Sequence, residues 1–205
     1  RSRVTLASTE AAATDSDKAS PFMTARAGSW KSRAMLPSTS AQSQRRDSPS
    51  TAIEGLNDSK KLTEKKREAL FDVITERALT YGIASASVEE IEELNILNAT
   101  FLAMNRAIAK LDPAPELALI DGNRSTGIAM PSRCIVKGDS RCADIAAASI
   151  LAKVSRDRYM LTLAEKYPQY HFEQHKGYGT KLHYEALREY GPSPEHRPSF
   201  LRKMH

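Results

Sequence analysis

The pattern of apolar positions divides the chain near residue 52. Before that point Val, Ile and Leu are scarce, and single apolar residues lie scattered among Ser, Thr, Ala and Arg without a helical or strand period. Such a stretch buries too little surface to offset its ordering entropy, so residues 1–52 are expected to be a low-complexity, disordered segment. Beyond it the pattern becomes regular. Leu62, Leu70, Val73, Ile74 and Ala78 recur at helical spacing, with Glu64 favourably placed in the first turn. Gly82 is expected to stop that helix, and residues 83–87 read as a short strand. Ser87 and Glu90 form a capping box ahead of Ile91 and Leu94.

Further along, residues 97–111 read as a helix that Asp112-Pro113 ends. Residues 117–120 are wholly apolar, as in a strand covered on both faces, and residues 134–136 look like another strand. Residues 144–167 predict a long helix whose Ala-rich start would allow close packing. Thr180 is a good N-cap for a last helix ending near Tyr190, with Gly191 and Pro192 as its stop. Strands alternating with helices make residues 53–205 an α/β domain. No internal repeat is visible.

Composition changes this picture little. The net charge of +5 is carried mostly by residues 1–50, where eight Lys and Arg face four Asp and Glu. Overall basicity is therefore no argument that the folded part binds nucleic acid. No apolar run approaches the ~18 residues of a membrane span. Cys134 and Cys142 are too few for a disulfide framework or a zinc site, and read as small buried thiols in a reducing compartment. Arg and Ser in the opening segment suggest a transit peptide, but Glu10, Asp15, Asp17 and Asp47 argue against one.

Candidate chemistry gathers at strand ends. Asp121 follows an apolar strand and precedes the turn Gly122-Asn123; in open α/β sheets, ligands collect at the carboxyl ends of strands. It is equally an Asx-turn residue bonding its own backbone. Asp139 follows the next strand, either as part of a helix N-cap region or as a second carboxylate for the same metal. With no His or Cys cluster in competition, an all-oxygen site suits Mg²⁺ or Mn²⁺. Two carboxylates alone make an incomplete two-metal site. Residues 175–180, HKGYGT, would present Tyr178 to a sugar or base and Lys176 to a phosphate, or form a Gly-rich connector with the tyrosine folded back. Residues 57–61, NDSKK, are polar and basic just before a helix, where backbone amides favour phosphate. The five histidines show no metal-ligand spacing.

Five segments, GLNDSKKL (55–62), LIDGN (119–123), KGDS (137–140), AAASILAKVSRDR (146–158) and HKGYGT (175–180), together resemble bacterial ribonuclease HII. They occur in that family's order and spacing, over about residues 53–200. The resemblance implies a ribonuclease H-like mixed sheet flanked by helices. It also implies an endonuclease that cuts the RNA strand of RNA/DNA hybrids and nicks 5′ of single ribonucleotides in duplex DNA, leaving a 3′-hydroxyl and a 5′-phosphate. Four acidic residues would hold Mn²⁺ or Mg²⁺, with Asp121 and Asp139 as the third and fourth. Tyr178 would sense the ribose beside the 2′-hydroxyl, while Ser59, Lys60 and nearby residues would lie beside substrate phosphates. A cytoplasmic monomer is the expected state.

One departure stands against this. The family opens with a strand ending in an Asp-Glu pair and a Gly-Arg-Gly turn, and residues 1–52 contain nothing like that DEAGRG segment. The opening strands are therefore expected to be missing or replaced, as a shifted reading frame or a misplaced start would produce. The alternative reading is a catalytically silent relative that still binds hybrids, or a truncated product lacking the first two metal ligands.

Overall fold

A computed structural model describes residues 4–8, 22–28 and 53–201 of the chain. Its strands are β1 (Val4–Ser8), β2 (Phe22–Gly28), β3 (Thr80–Ser85), β4 (Leu117–Asp121) and β5 (Ser132–Ile135). The helices are α1 (Glu64–Arg77), α2 (Val88–Ala109), α3 (Ala143–Lys166), the short α4 (Phe172–His175), α5 (Lys181–Tyr190) and α6 (Pro198–Leu201). The five strands form one mixed sheet in the order β3-β2-β1-β4-β5. β1–β2 and β2–β3 are antiparallel, whereas β1–β4 and β4–β5 are parallel.

This architecture corrects the expectation for the opening segment. Val4–Ser8 and Phe22–Gly28 are strands of the sheet, so the disorder expected there does not hold for them, and of the two expectations for the opening strands, missing or replaced, replacement is the one that fits. The rest of residues 1–52 lies outside the described residues. The physical reason is that VTLAS and FMTARAG are too short and too mixed to declare a strand alone. Pairing partners on both sides supply what the local pattern lacks: β1 sits between β2 and β4, and β2 between β1 and β3.

Helix α3 organises the layers. Every residue from Ile145 to Val154 is buried, an apolar run broken only by Ser149 and Lys153. Burying each Ile, Leu or Val of that run is worth roughly 1.5–3 kcal/mol. α3 lies against β1 and β2 and carries α1 on it, where Leu70 and Ile74 meet Ala147, Ile150, Leu151 and Val154. α2 covers the sheet through Phe101, Ala103 and Met104, which pack with Ala118 and Ile120 of β4. The second half of α3 forms a separate cluster, where Met160 and Leu163 meet Tyr170, Phe172 and Leu187.

Helix ends follow the expected chemistry. The Ser87–Glu90 capping box is present in full at the start of α2. Asn95 breaks that helix (φ 65°, ψ 164°) and restarts it, its Oδ1 accepting from the N–H groups of Leu97 and Asn98. Thr63 caps α1 and Thr180 caps α5, each hydroxyl accepting an N–H three residues on.

Three local expectations change. Gly82 does not stop α1, which ends at Arg77 with Ala78 as its cap; it lies inside β3. β5 spans Ser132–Ile135 rather than residues 134–136. Cys134 and Cys142 are free, as expected, but half-buried rather than buried.

At Gly82 α2 comes close to the sheet, since a Cβ there would lie 2.2 Å from the Ala107 carbonyl oxygen. Gly82→Ala must push a strand and a helix backbone apart. We expect a loss of about 1–3 kcal/mol in urea unfolding, read as a lower midpoint at unchanged slope.

Candidate functional site

The parallel pairing of β4 and β5 ends with Asp121 beside Ile135. Lys137 then takes a left-handed conformation (φ 55°), and the chain turns through Gly138–Ser140, carrying Asp139 back towards β4. The Gly138 N–H donates to Asp121 Oδ1 at 2.8 Å, which locks the turn onto the strand end. Burial, Asp139 and Asp58 raise the Asp121 carboxyl above its ordinary range, while the Gly138 amide and Lys60 pull the other way. Burial also raises Asp139, followed by the charge and hydrogen bond of Asp58, against the Ser140 amide and Lys60. Raised carboxyl groups that repel one another are the electrostatic mark of a site that gains from a cation.

Asp58 is the residue the sequence reading missed. It stands there only as part of a basic turn, yet its carboxylate caps the turn Ser59–Lys61 and helps raise Asp139. A signal existed in the acidic residue inside NDSKK, but nothing local ties it to a strand end some 80 positions away. Among the described residues no group of three or more His, Cys, Asp and Glu side chains forms a ready metal cage. Asp121 and Asp139 still suit a hard divalent cation in kind, being oxygen donors with raised carboxyls at adjoining strand ends.

The register adds a further position. β1 runs parallel to β4, with Ala7 opposite Ile120. The next residue, Ser8, ends β1 at the level of Asp121. The sheet thus offers three adjoining strand ends, two of them bearing or leading to a carboxylate and one bearing serine.

A buried polar chain links this edge to the HKGYGT segment. The Arg67 Nη1 donates to the carbonyls of Ser59 (3.1 Å) and Leu62 (2.6 Å), pinning the turn that holds Asp58 and Lys60. Its Nη2 lies 3.5 Å from Asp157, which pairs at 2.8 Å with Lys153. Lys153 Nζ in turn stands 5.5 Å from the centre of the Tyr178 ring. Lys153 and Asp157 are nearly fully buried, and pairing is what makes two buried charges tolerable.

Residues 175–180 are a tight, built loop. Lys176 (φ 50°) and Gly177 (φ 81°) are both left-handed, and a Cβ on Gly177 would crowd Arg156 and Met160. The Arg156 guanidinium donates to the Lys176 carbonyl at 3.2 Å. His175 and His183 stack at 4.3 Å, and His183 meets His196 at 3.0 Å between Nε2 atoms. Burial lowers all three histidines, His183 to about 4, so the cluster is neutral near pH 7. Tyr178 lines a cavity of about 540 Å³, together with Arg106, Arg156, Tyr159 and Arg197.

The structure brings the sequence-derived residues together unevenly. Asp121, Asp139 and Lys60 share one edge. Tyr178 and Lys176 lie on the loop joined to that edge through Lys153, Asp157 and Arg67. Lys60 is exposed, whereas Ser59 is 2 % exposed and contributes its carbonyl to Arg67.

Comparisons with known proteins show the family and the fold. The sequence profile of the family described as Ribonuclease HII matches residues 41–205. The chain is 60% identical over 152 residues to Ribonuclease HII 1 of Methylibium petroleiphilum, covering 74% of this chain and 77% of that protein. It is 57% identical over 152 residues to Ribonuclease HII of Vibrio campbellii, covering 74% and 72%. In fold it is similar to the ribonuclease H2 of Pyrococcus horikoshii, with TM-score 0.67 and 21% identity over 98% of this chain and 96% of the other. It is also similar to the RNase HII of a PCNA complex from Archaeoglobus fulgidus, with TM-score 0.63 and 19% identity over 96% and 94%.

Because both carboxyls are raised, the metal-free fold holds protons that the unfolded chain has released, so its stability falls as pH rises through the raised values. Asp121→Asn keeps the acceptor for the Gly138 N–H and removes the charge. We expect the metal-free variant to melt above the parent at pH 8, with the gain shrinking towards pH 4, as read by thermal denaturation in EDTA.

Proposed function

The chain belongs to the ribonuclease HII family, and from that premise we propose that it is an endonuclease hydrolysing the RNA strand of RNA/DNA hybrids and nicking 5′ of single ribonucleotides in duplex DNA. The observation that carries this reading is the meeting of Asp121 and Asp139, both with raised carboxyls, at the adjoining ends of β4 and β5. The family depends on divalent metal ions, and Asp121 and Asp139 are the residues that would hold Mn²⁺ or Mg²⁺ here. The ion would supply a nucleophilic water and charge neutralisation at phosphate.

The chain's own groups supply the rest. Lys60, exposed beside the carboxylates, and Lys176 meet the backbone phosphates on either side of the cut. Ser59 shapes that contact from within the turn, where Arg67 fixes its carbonyl. Tyr178 lays its ring against the ribose that bears the 2′-hydroxyl, the group that separates RNA from DNA. Lys153 beneath the ring limits its travel. Among the described residues no helix is long and apolar enough to cross a membrane; a cytoplasmic monomer acting on hybrids, or on duplex DNA with embedded ribonucleotides, is the working picture. Residues 53–205 form the nuclease domain, with β1 and β2 completing its sheet.

Position 8 decides how well such a site works. By resemblance the first strand of the family ends in the Asp of an Asp-Glu pair, and here the strand end beside Asp121 is Ser8. Carboxylates that act as a unit do not substitute for one another, so this chain is expected to be a slow nuclease. Purified chain should nick a duplex with one ribonucleotide in Mn²⁺ or Mg²⁺, and Asp121→Asn should abolish it. Ser8→Asp should raise the rate by about tenfold or more. Nicking that survives Asp121→Asn would place the chemistry elsewhere.

A further inference from the structure

His183 and His196 form a directional chain that ends on the peptide of Tyr178. His183 Nδ1 lies 3.0 Å from the Tyr178 carbonyl, and a carbonyl only accepts, so the His183 proton is on Nδ1. His183 Nε2 is then an acceptor and takes the Nε2–H of His196 at 3.0 Å. That leaves His196 Nδ1 as an acceptor, and the Ser193 N–H donates to it at 3.0 Å. Each geometry fixes the next, so one tautomer of each ring satisfies the whole chain.

The loop is held from its other end by the same cluster. His175 Nε2 donates to the Tyr170 carbonyl at 2.7 Å, while its Nδ1 accepts the Gly177 N–H at 3.2 Å. The Tyr178 N–H donates to the His175 carbonyl at 2.8 Å. Tyr178 is thus gripped at its N–H and its carbonyl, between two left-handed residues and a glycine. Such a grip sets the direction in which the ring leaves the backbone. Its far end is anchored as well. The segment bearing Ser193 and His196 continues into α6, where the Ser199 N–H and hydroxyl donate to Glu92 of α2 at 3.1 and 2.6 Å.

We propose that His183 and His196 are positioning residues for Tyr178, holding its ring at the angle that separates a ribonucleotide from a deoxyribonucleotide. The inference rests on reading Tyr178 as the residue that meets the ribose. Neither histidine touches the substrate. Their effect passes through one peptide carbonyl, so they govern discrimination more than overall affinity. Loss of His183 leaves the Tyr178 carbonyl to the Thr180 N–H at 2.8 Å and lets the ring sample other directions above Lys153.

Equilibrium binding tests this without relying on turnover. The probes are a fluorescein-labelled duplex carrying one ribonucleotide and its all-deoxy counterpart, titrated by anisotropy in Ca²⁺ with the full chain. The wild-type chain should prefer the ribonucleotide duplex, and Tyr178→Ala should erase the preference. His183→Ala should lower the preference about tenfold, as expected for one buried hydrogen bond, while affinity for the all-deoxy duplex stays near wild type. His183→Asn, which retains a donor at the Nδ1 position, should restore most of the preference. His196→Ala should give an intermediate loss, and it replaces His183→Ala if thermal melting finds that variant unfolded. If Tyr178→Ala erases the preference and the histidine variants keep it, the positioning role is wrong while the reading of Tyr178 stands. If the His183→Ala loss falls equally on both duplexes, or Asn gives no rescue, the histidines are merely structural and the inference is overturned. If wild type and Tyr178→Ala do not differ, the reading of Tyr178 falls and takes the inference with it.

Discussion

Burial of the first half of α3 is the constraint on which the rest depends. Ten consecutive residues, Ile145 to Val154, are out of water, which requires neighbours on every side. The sheet supplies one neighbour through β1 and β2, and α1 supplies another. Ala146, Ala147, Ala148 and Ala152 let those neighbours come close. Once α3 is fixed, Lys153 and Asp157 are carried into the interior as charges that must be paired. Their partners are Arg67 of α1, which pins the turn of Ser59, and the ring of Tyr178. A packing requirement thereby becomes a positional one: the turn holding Asp58 and Lys60 and the loop holding Tyr178 are referenced to the same helix.

The edge that carries Asp121 and Asp139 follows from a second constraint, the parallel course of β1, β4 and β5. Parallel neighbours bring their carboxyl ends to one side of the sheet, where turns with unpaired backbone groups can cradle a charge. The Gly138 amide on Asp121 is one such group. The site is therefore electrostatically tense by construction: both carboxyls are raised by burial and by Asp58, Asp121 also by Asp139, with Lys60 as partial relief. That tension favours a cation, and it makes the serine at the end of β1 consequential. A sheet can be completed by any segment that pairs; a metal site needs specific side chains at the strand ends.

Much of this was legible in the sequence because local chemistry carried it. The Ser87–Glu90 capping box, the Thr180 cap with its Gly191 stop, the Ala-rich start of α3 and the apolar run of β4 each declare themselves within a few residues. Asp121 and Asp139 were found for the same reason, each sitting just past a strand. What was missed depends on distant partners. β1 and β2 have no persuasive alternation of their own and exist as strands through their pairing. Gly82 reads as a helix stop until the Ala107 carbonyl is known to press on it. Asp58 gains meaning only beside Asp139, and the histidines at 175, 183 and 196 follow no ligand spacing because their partners are backbone groups and one another.

The central claim is that Asp121 and Asp139 form one cation site at the end of a sheet whose middle strand is β1. It is tested most directly by titrating Mn²⁺ into the full chain and following free ion by electron paramagnetic resonance, alongside Asp121→Asn and Asp139→Asn. The account predicts saturable binding by the parent chain and its loss in each variant, with both variants still folded. Binding of equal strength in either variant would contradict it.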